Sequence, residues 1–459
     1  MKVNHNMSAV ITNKQLLRTE NSLSDAMERL SSGLSINHAK DNPAGMAISN
    51  KMKLQIDGLN QASRNASDGT SVLQTADGAL NEVMSVVQRM RELAVQAANE
   101  TNTQADLKAI QAEIDSLKEE VDRVSKDTEF NSKPLLDGNV QRRVYTEDAS
   151  RVAISDAVKA GDYKVTIDSA AEQAALDADS AAFGSMSATV GASGTFSVNG
   201  SSVDILATDT YEQAFEKIRN AAEIGETAAS LDGGSLSLTS NAYGEQGIVK
   251  VSISDAALAG ALGFSSTDPD SAYGINASVS LGEGFSDTAT AALDGNKVTI
   301  TDRDGFSLSF LADAGLADGT VIDLDVTDFG AMNIQVGSNE NQSMKIDIPA
   351  ISSEMLYLDG VNVTTIYGAD RAIAELDEAI ARVSEIRSSI GAYENRLDYT
   401  VASLDETTEN MTAALSRIED ADMALEMSDY TKQNVLDQAA ISVLSQANDL
   451  PQQVLQLLQ

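Results

Sequence analysis

Between Ile48 and Ala97 the chain repeats in alternating steps of four and three residues. The positions are Ile48, Met52, Gln55, Leu59, Ala62, Ala66, Gly69, Leu73, Ala76, Leu80, Val83, Val87, Met90, Ala94 and Ala97, and only Gln55 and Gly69 among them are not apolar. A 3.5-residue period kept for about seven heptads specifies a left-handed supercoil and requires partner helices. At ~1.5 Å per residue such a helix is roughly 75 Å long.

Partners follow in the sequence. A second stripe runs through Leu107, Ile110, Ile114, Leu117, Val121 and Val124, and the polar turn NETNTQAD lies between the two. Helices joined this way form an antiparallel hairpin. A shorter stripe at Leu16, Leu23, Met27, Leu30 and Leu34 comes before, ended by the break at Pro43 in KDNPAG. Late in the chain Ile373, Leu376, Ile380, Val383, Arg387, Ile390, Glu394, Leu397, Val401 and Leu404 keep the same period, extended by Met411, Leu415 and Ile418. Residues 435–459 carry a last stripe at Leu436, Ala440, Val443, Ala447, Leu450, Val454 and Leu457, with only Asp437 and Asp449 charged. Asp437 falls off that stripe. Each end therefore carries amphipathic helices whose apolar faces are unstable alone.

The middle differs. From about residue 140 to 365 the chain is rich in Gly, Ser, Thr, Asp and Val. GTFSVNGSSVDIL and GGSLSLTS alternate as strands, with TYEQAFEKIRNAA between them as a helix. NKVTITDRDGFSLSF predicts a hairpin at Asp304-Gly305, and MNIQVGSNENQSMKIDI a second pair of strands. The expected fold class is mainly α with a β-rich insert: a helical bundle built from both chain ends, carrying one or two small β-rich domains.

Charge and composition exclude several functions. Lys and Arg number 32 against 69 Asp and Glu, a formal net charge of −37, which repels nucleic acid and anionic lipid. With no Cys there are no disulfides, thiolate metal sites or cysteine nucleophiles. No stretch approaches the ~18 apolar residues of a membrane span. The start, MKVNHNMSAVITNKQLLRTENS, lacks the apolar core of a secretory signal peptide, so export would use another route.

Long motifs at both ends resemble those of the bacterial flagellins. They are ERLSSGLSINHAKDNPAGMAISNKM (28–52), SRNASDGTSVLQTADGALNEV (63–83), QRMRELAVQAANETNT (88–103), SRIEDADMALEM (416–427) and QANDLPQQVLQLL (446–458). The strand–helix–strand stretch from GTFSVNG to LTSNAYG is similar to an element inside many flagellins and hook-associated proteins. The resemblance implies a structural, non-enzymatic subunit of the extracellular flagellar filament that polymerises with itself. It implies a terminal core from residues 1–43 and 409–459, an inner helical layer from 44–165 and 331–408, and an outer β-rich part over 166–330. On that basis Leu23, Met27, Leu30 and Leu34 with the stripe from Leu436 to Leu457 would be assembly contacts. Implied partners are an export chaperone, the filament cap and hook-associated proteins, and the vertebrate Toll-like receptor for flagellin. For the receptor the matching residues are Gln88, Arg89, Leu93 and Glu113. Arg89 and Glu113 fall off the stripes, on neighbouring helices of the hairpin. Glu419 and Leu425 depart from the family pattern, which usually has basic residues there. Within the same class the alternative is a hook-associated or filament-junction protein, and outside it a surface adhesin acting through the outer domain.

Nothing in the sequence supports an enzyme or a cofactor. His5 and His38 have no paired ligand spacing. Asp302, Asp304 and Gly305 lack the distal Glu of a Ca²⁺ loop and are expected to form a turn.

Overall fold

The computed structural model describes residues 6–99, 101–269, 271–303 and 305–457, with side chains except at 366 and 450–457. Seven α-helices lie among them: α1 (Met7–Ser32), α2 (Pro43–Ala97), α3 (Gln104–Asp127), α4 (Tyr211–Ile224), α5 (Ala256–Leu262), α6 (Ile366–Glu419) and α7 (Met423–Leu457). The chain divides into two units, Met1–Gly69 with Gln335–Met344 and Arg396–Gln459, and Thr70–Ile334 with Lys345–Asn395.

In the terminal unit, α1 starts where the Asn6 side chain accepts from the Ala9 N–H at 3.2 Å. It ends at Gly33, whose φ of +74° and N–H bond to the Arg29 carbonyl make a left-handed C-cap. Asn42 accepts from the Gly45 N–H at 2.9 Å and Pro43 opens α2, so the sequence break at Pro43 is a helix start. Leu59 and Ala62 of α2 pack with Leu404 and Met411 of α6. The segment 335–344 lies against α2: Asn65 donates to the Gln335 carbonyl at 3.1 Å, and a Cβ on Gly58 would come within 2.9 Å of Ser338 Cβ.

The larger unit holds the predicted hairpin. Thr103 and Asp106 form a reciprocal capping box that starts α3. Leu107, Ile110, Ile114, Val121 and Val124 of the stripe are buried, and Leu117 is half-buried. Along α2 every stripe position from Leu59 to Ala97 is buried. Arg387, one of two charged members of the α6 stripe, is held by Asp77 of α2 at 2.8 Å.

The insert has two cores. Two four-stranded antiparallel sheets enclose the first. One orders Ser278–Leu281, Gly161–Ser169, Val321–Val326 and Val144–Tyr145; the other orders Thr290–Asp294, Lys297–Thr301, Ser307–Ala312 and Ala149–Ile154. Val165, Ile167, Ile300, Phe310 and Leu324 fill the space between them. Each such side chain, fully buried, stabilises by ~1.5–3 kcal/mol. The hairpin expected at residues 302–306 joins two strands of the second sheet, with Gly305 at φ +76°; Asp304 lies outside the described residues. The second core gathers Phe196, Ile205, Ile218, Leu236, Leu238 and Leu258 from two three-stranded sheets, α4 and α5. The Met332–Gln335 and Ser343–Ile346 strands pair as expected.

Candidate functional site

The terminal helices come together. Asn6 donates to the Ala447 carbonyl at 2.7 Å, and Arg29 Nε donates to Glu426 Oε1 at 2.9 Å, so α1 and α7 are joined at both ends of their overlap. The links between helices add backbone bonds. Ser35 N–H donates to the Glu419 carbonyl at 2.6 Å, and Ala421 N–H to that of Gly33 at 2.9 Å. Glu419, acidic where the family pattern is basic, is 7% exposed and accepts from Lys53 of α2 at 2.5 Å. Its charge is therefore matched within the unit. The sequence flagged Glu419 but gave no sign of Lys53 as partner, because the two are 366 residues apart.

The inward face of α7 carries Tyr430, Gln433, Asp437, Ala440, Leu444 and Ala447. Ala440 and Ala447 of the expected stripe belong to it, whereas Leu436 and Val443 stay 46% and 51% exposed. Leu450, Val454 and Leu457 continue α7, and their side chains lie outside those described. Leu23, Leu30 and Leu34 are half-buried, and Met27 is 54% exposed. Asp437, expected to point away, instead faces inward with a buried Oδ1 that has no hydrogen-bond partner among the described residues. The reason is register: α7 is apolar on two adjoining faces, and the chain buries the one that contains Asp437.

Around this pair a large apolar surface remains uncovered. Met7, Val10, Ile11 and Leu17 on α1 and Met427, Val435 and Ile441 on α7 are all exposed, as are Leu436 and Val443. Soluble monomers rarely leave contiguous apolar area of this kind open unless it meets a partner.

The second set of sequence-flagged residues lies on the hairpin of the larger unit. Arg89 on α2 donates from Nη2 to Glu113 Oε1 on α3 at 2.9 Å and from Nη1 to Glu92 Oε2 at 3.2 Å. These bonds hold the guanidinium more firmly protonated, Glu113 contributing most. Arg89 and Glu113 side chains are half exposed, and Gln88 beside them is exposed. Leu93 is different: it is 2% exposed and packed inward next to Met90 and Ala94. The buried face of α2 is wider than a single heptad stripe and takes in both members of the 93/94 pair. Leu93 therefore supports the patch from beneath.

Among the described residues no group of three or more His, Asp or Glu is placed to hold a metal ion, and no helix is long and apolar enough to cross a membrane. His38 sits 2.7 Å from Glu28 on the surface; His5 lies outside the described residues.

Two family models match the chain: the bacterial flagellin N-terminal helical region over residues 3–141, and the C-terminal helical region over residues 373–458. A flagellin of Clostridium tyrobutyricum is 34% identical over 457 residues, covering 98% of this chain and all of that protein. A flagellin of Salmonella muenchen is 32% identical, with 99% of each chain covered. Among solved structures, FliC of Burkholderia pseudomallei covers 72% of this chain and 99% of its own at 17% identity and a TM-score of 0.25. The flagellar hook-associated protein 3 of Legionella pneumophila covers 80% and 98% at 12% identity and a TM-score of 0.32.

Proposed function

This chain belongs to the bacterial flagellin family, and from that premise we propose that it builds a flagellar filament by packing the paired α1 and α7 of each copy against its neighbours. Members of the family are structural subunits of the flagellum, not enzymes. The observation that carries the assembly reading is the uncovered apolar surface of the terminal helix pair, with Leu436, Val443 and Met27 about half exposed. A second copy supplies a matching surface, because a homopolymer buries the same residues repeatedly. In this reading residues 1–43 and 409–459 lie innermost, 44–165 and 331–408 surround them, and 166–330 face outward. The filament lies outside the cell. The apolar end is covered before assembly by an export chaperone, and cap and hook-associated proteins bound the filament. The charge of −37 disfavours contact with nucleic acid or anionic lipid, and the repulsion it sets up between copies has to be outweighed by apolar burial between the terminal helices. The test is to add monomer to filament seeds, using wild type and a chain lacking residues 437–459. Elongation by wild type alone is expected, and filaments of normal length from the truncated chain would sink the reading.

A second role is supported by the Arg89–Glu113 pair. Gln88, Arg89 and Glu113 form an exposed patch of multiple donors and acceptors over the buried Leu93. We propose that this patch in the monomer is a docking surface for the Toll-like receptor implied by the resemblance. Arg89→Ala is expected to weaken binding to the receptor ectodomain by ~1–3 kcal/mol with helical content unchanged. Equal affinities in a direct titration would leave Arg89 as a solvated surface charge.

A further inference from the structure

Within the larger unit a cavity of about 290 Å³ opens beside the first turn of α6, bordered by the second insert core. That volume is at the lower end of small-ligand pockets, large enough for one ring. Its apolar walls are Tyr273, Tyr367 and Ile248, which are 63%, 53% and 39% exposed. In a chain with only 4% aromatic residues, two open tyrosine rings at one cavity stand out from the rest of the surface.

The site is held in shape. Asn199 donates to the carbonyls of Gly225 and Ile248 at 2.9 and 2.8 Å and accepts from the Lys250 N–H at 2.8 Å. Glu226 has φ +55°, a left-handed conformation that costs a non-glycine residue of order 1–3 kcal/mol and persists where its surroundings enforce it. Its carboxylate pairs with Arg371 of α6, which also donates to Glu375 at 3.2 Å.

Two features narrow the ligand. Gln246, Ser271 and both tyrosines line the cavity with an amide, a hydroxyl and two phenols, and the Lys250 ammonium lies over the Tyr367 ring, 6.0 Å from its centroid. The formal charges nearby are close to balanced: Lys250, Arg371 and, acting on both carboxylates, Lys118 stand against Glu226 and Glu375. A free anion or cation gains little in such a field. A neutral ring with one apolar face and several hydroxyls uses both features, stacking on the open Tyr273 ring or the free face of Tyr367 and bonding to the amide and hydroxyl groups.

The geometry points to this cavity as a binding site for a neutral pyranose sugar. It is independent of the assembly surface, since none of its residues lies on α1 or α7.

The experiment titrates the monomeric full chain with glucose, galactose and N-acetylglucosamine, read by saturation-transfer NMR. Tetramethylammonium and acetate serve as the charged comparisons. Saturable binding of at least one sugar in the millimolar range is expected, weakened about tenfold or more by Tyr367→Ala and by Tyr273→Ala. Circular dichroism and the melting temperature of each variant are expected to match wild type. Tyr273→Ala decides the matter if Tyr367→Ala fails to fold, because the Tyr273 side chain is largely in solvent. Absence of saturable sugar binding overturns the proposal. So does sugar binding that neither substitution weakens, or tighter binding of either charged probe.

Discussion

Val443→Asp separates what holds the chain ends to each other from what would hold one copy to the next. Val443 is 51% exposed on the paired helices, whereas Ala447, one turn further on, is 6% exposed. A carboxylate at Val443 therefore stays in water in the monomer and meets an apolar environment only when a neighbour covers it. Full burial of a valine is worth ~1.5–3 kcal/mol, and about half of its surface is left to bury, so ~1 kcal/mol of contact is lost. An unpaired carboxylate carried into the interface costs several kcal/mol more. Together the loss is ~3–5 kcal/mol per subunit, which raises the critical concentration for elongation by roughly 10²–10³-fold or more. The assay is sedimentation of seeded filaments over a range of monomer concentrations, with circular dichroism of the monomer as the folding control. Ala447→Asp, in contrast, should already lower the melting temperature of the terminal helices in the monomer. If Val443→Asp leaves both dichroism and critical concentration unchanged, the outward surface of α7 is not an assembly contact.

Two further outcomes follow from buried carboxyl groups. Asp437→Leu removes the partnerless buried Oδ1 and is expected to stabilise the α1–α7 pair by ~1–3 kcal/mol, seen as a higher melting temperature of the terminal helices; a lower one would mean that Asp437 has a partner in solution. Burial pushes the Glu375 carboxyl above its ordinary range, with Arg371 opposing it and Glu226 adding to the rise, while Lys118 also faces the group. The folded state then binds that proton more tightly than the unfolded chain. The associated stability is full below the ordinary glutamate pKa of about 4.5 and declines as pH rises through the raised value. Glu375→Gln should flatten this decline in urea midpoints measured against pH; parallel curves for the two proteins would refute it.

Periodicity made the helical framework legible, because burying a stripe over many turns leaves a repeat that side-chain chemistry alone displays. From Leu59 to Ala97 every position of the repeat is buried, and Val72, Met84 and Leu93 beside it are buried as well. At the start of α2 the repeat misleads. Ile48 is 48% exposed, while Ser49 is 2% exposed with its hydroxyl turned back to the Met46 carbonyl. A small polar residue can satisfy itself on its own helix and enter a core, which polarity patterns do not register. Asp437 faces the other way for a related reason: where a helix is apolar on two adjoining faces, the period does not say which one its own chain covers. That Arg89 and Glu113 fall off the stripes on neighbouring helices was legible because the hairpin turn is short, but their ion pair was not. The tyrosine-walled cavity was not, since it is assembled from separate stretches around residues 199, 226, 246–250, 271–273 and 365–371.

The link between Arg29 and Glu426 spans 397 residues of chain. Closing a loop of that length from a disordered chain has an entropy cost that slows folding, and local structure is expected to form first. Ion pairs in the larger unit shorten the loop that remains to be closed, since Arg91 with Asp377, and Arg387 with Asp77, tie α2 to α6. Once those helices are side by side, the two chain ends emerge from one place, and the remaining search is between short segments. The terminal pair is therefore expected to fold last and open first. An unfolding experiment followed by hydrogen exchange should find α1 and α7 losing protection before the two insert cores. Apolar segments that order late are available to other copies for the whole interval before they close on each other, so the slowest folding step and the step that joins subunits compete for the same residues.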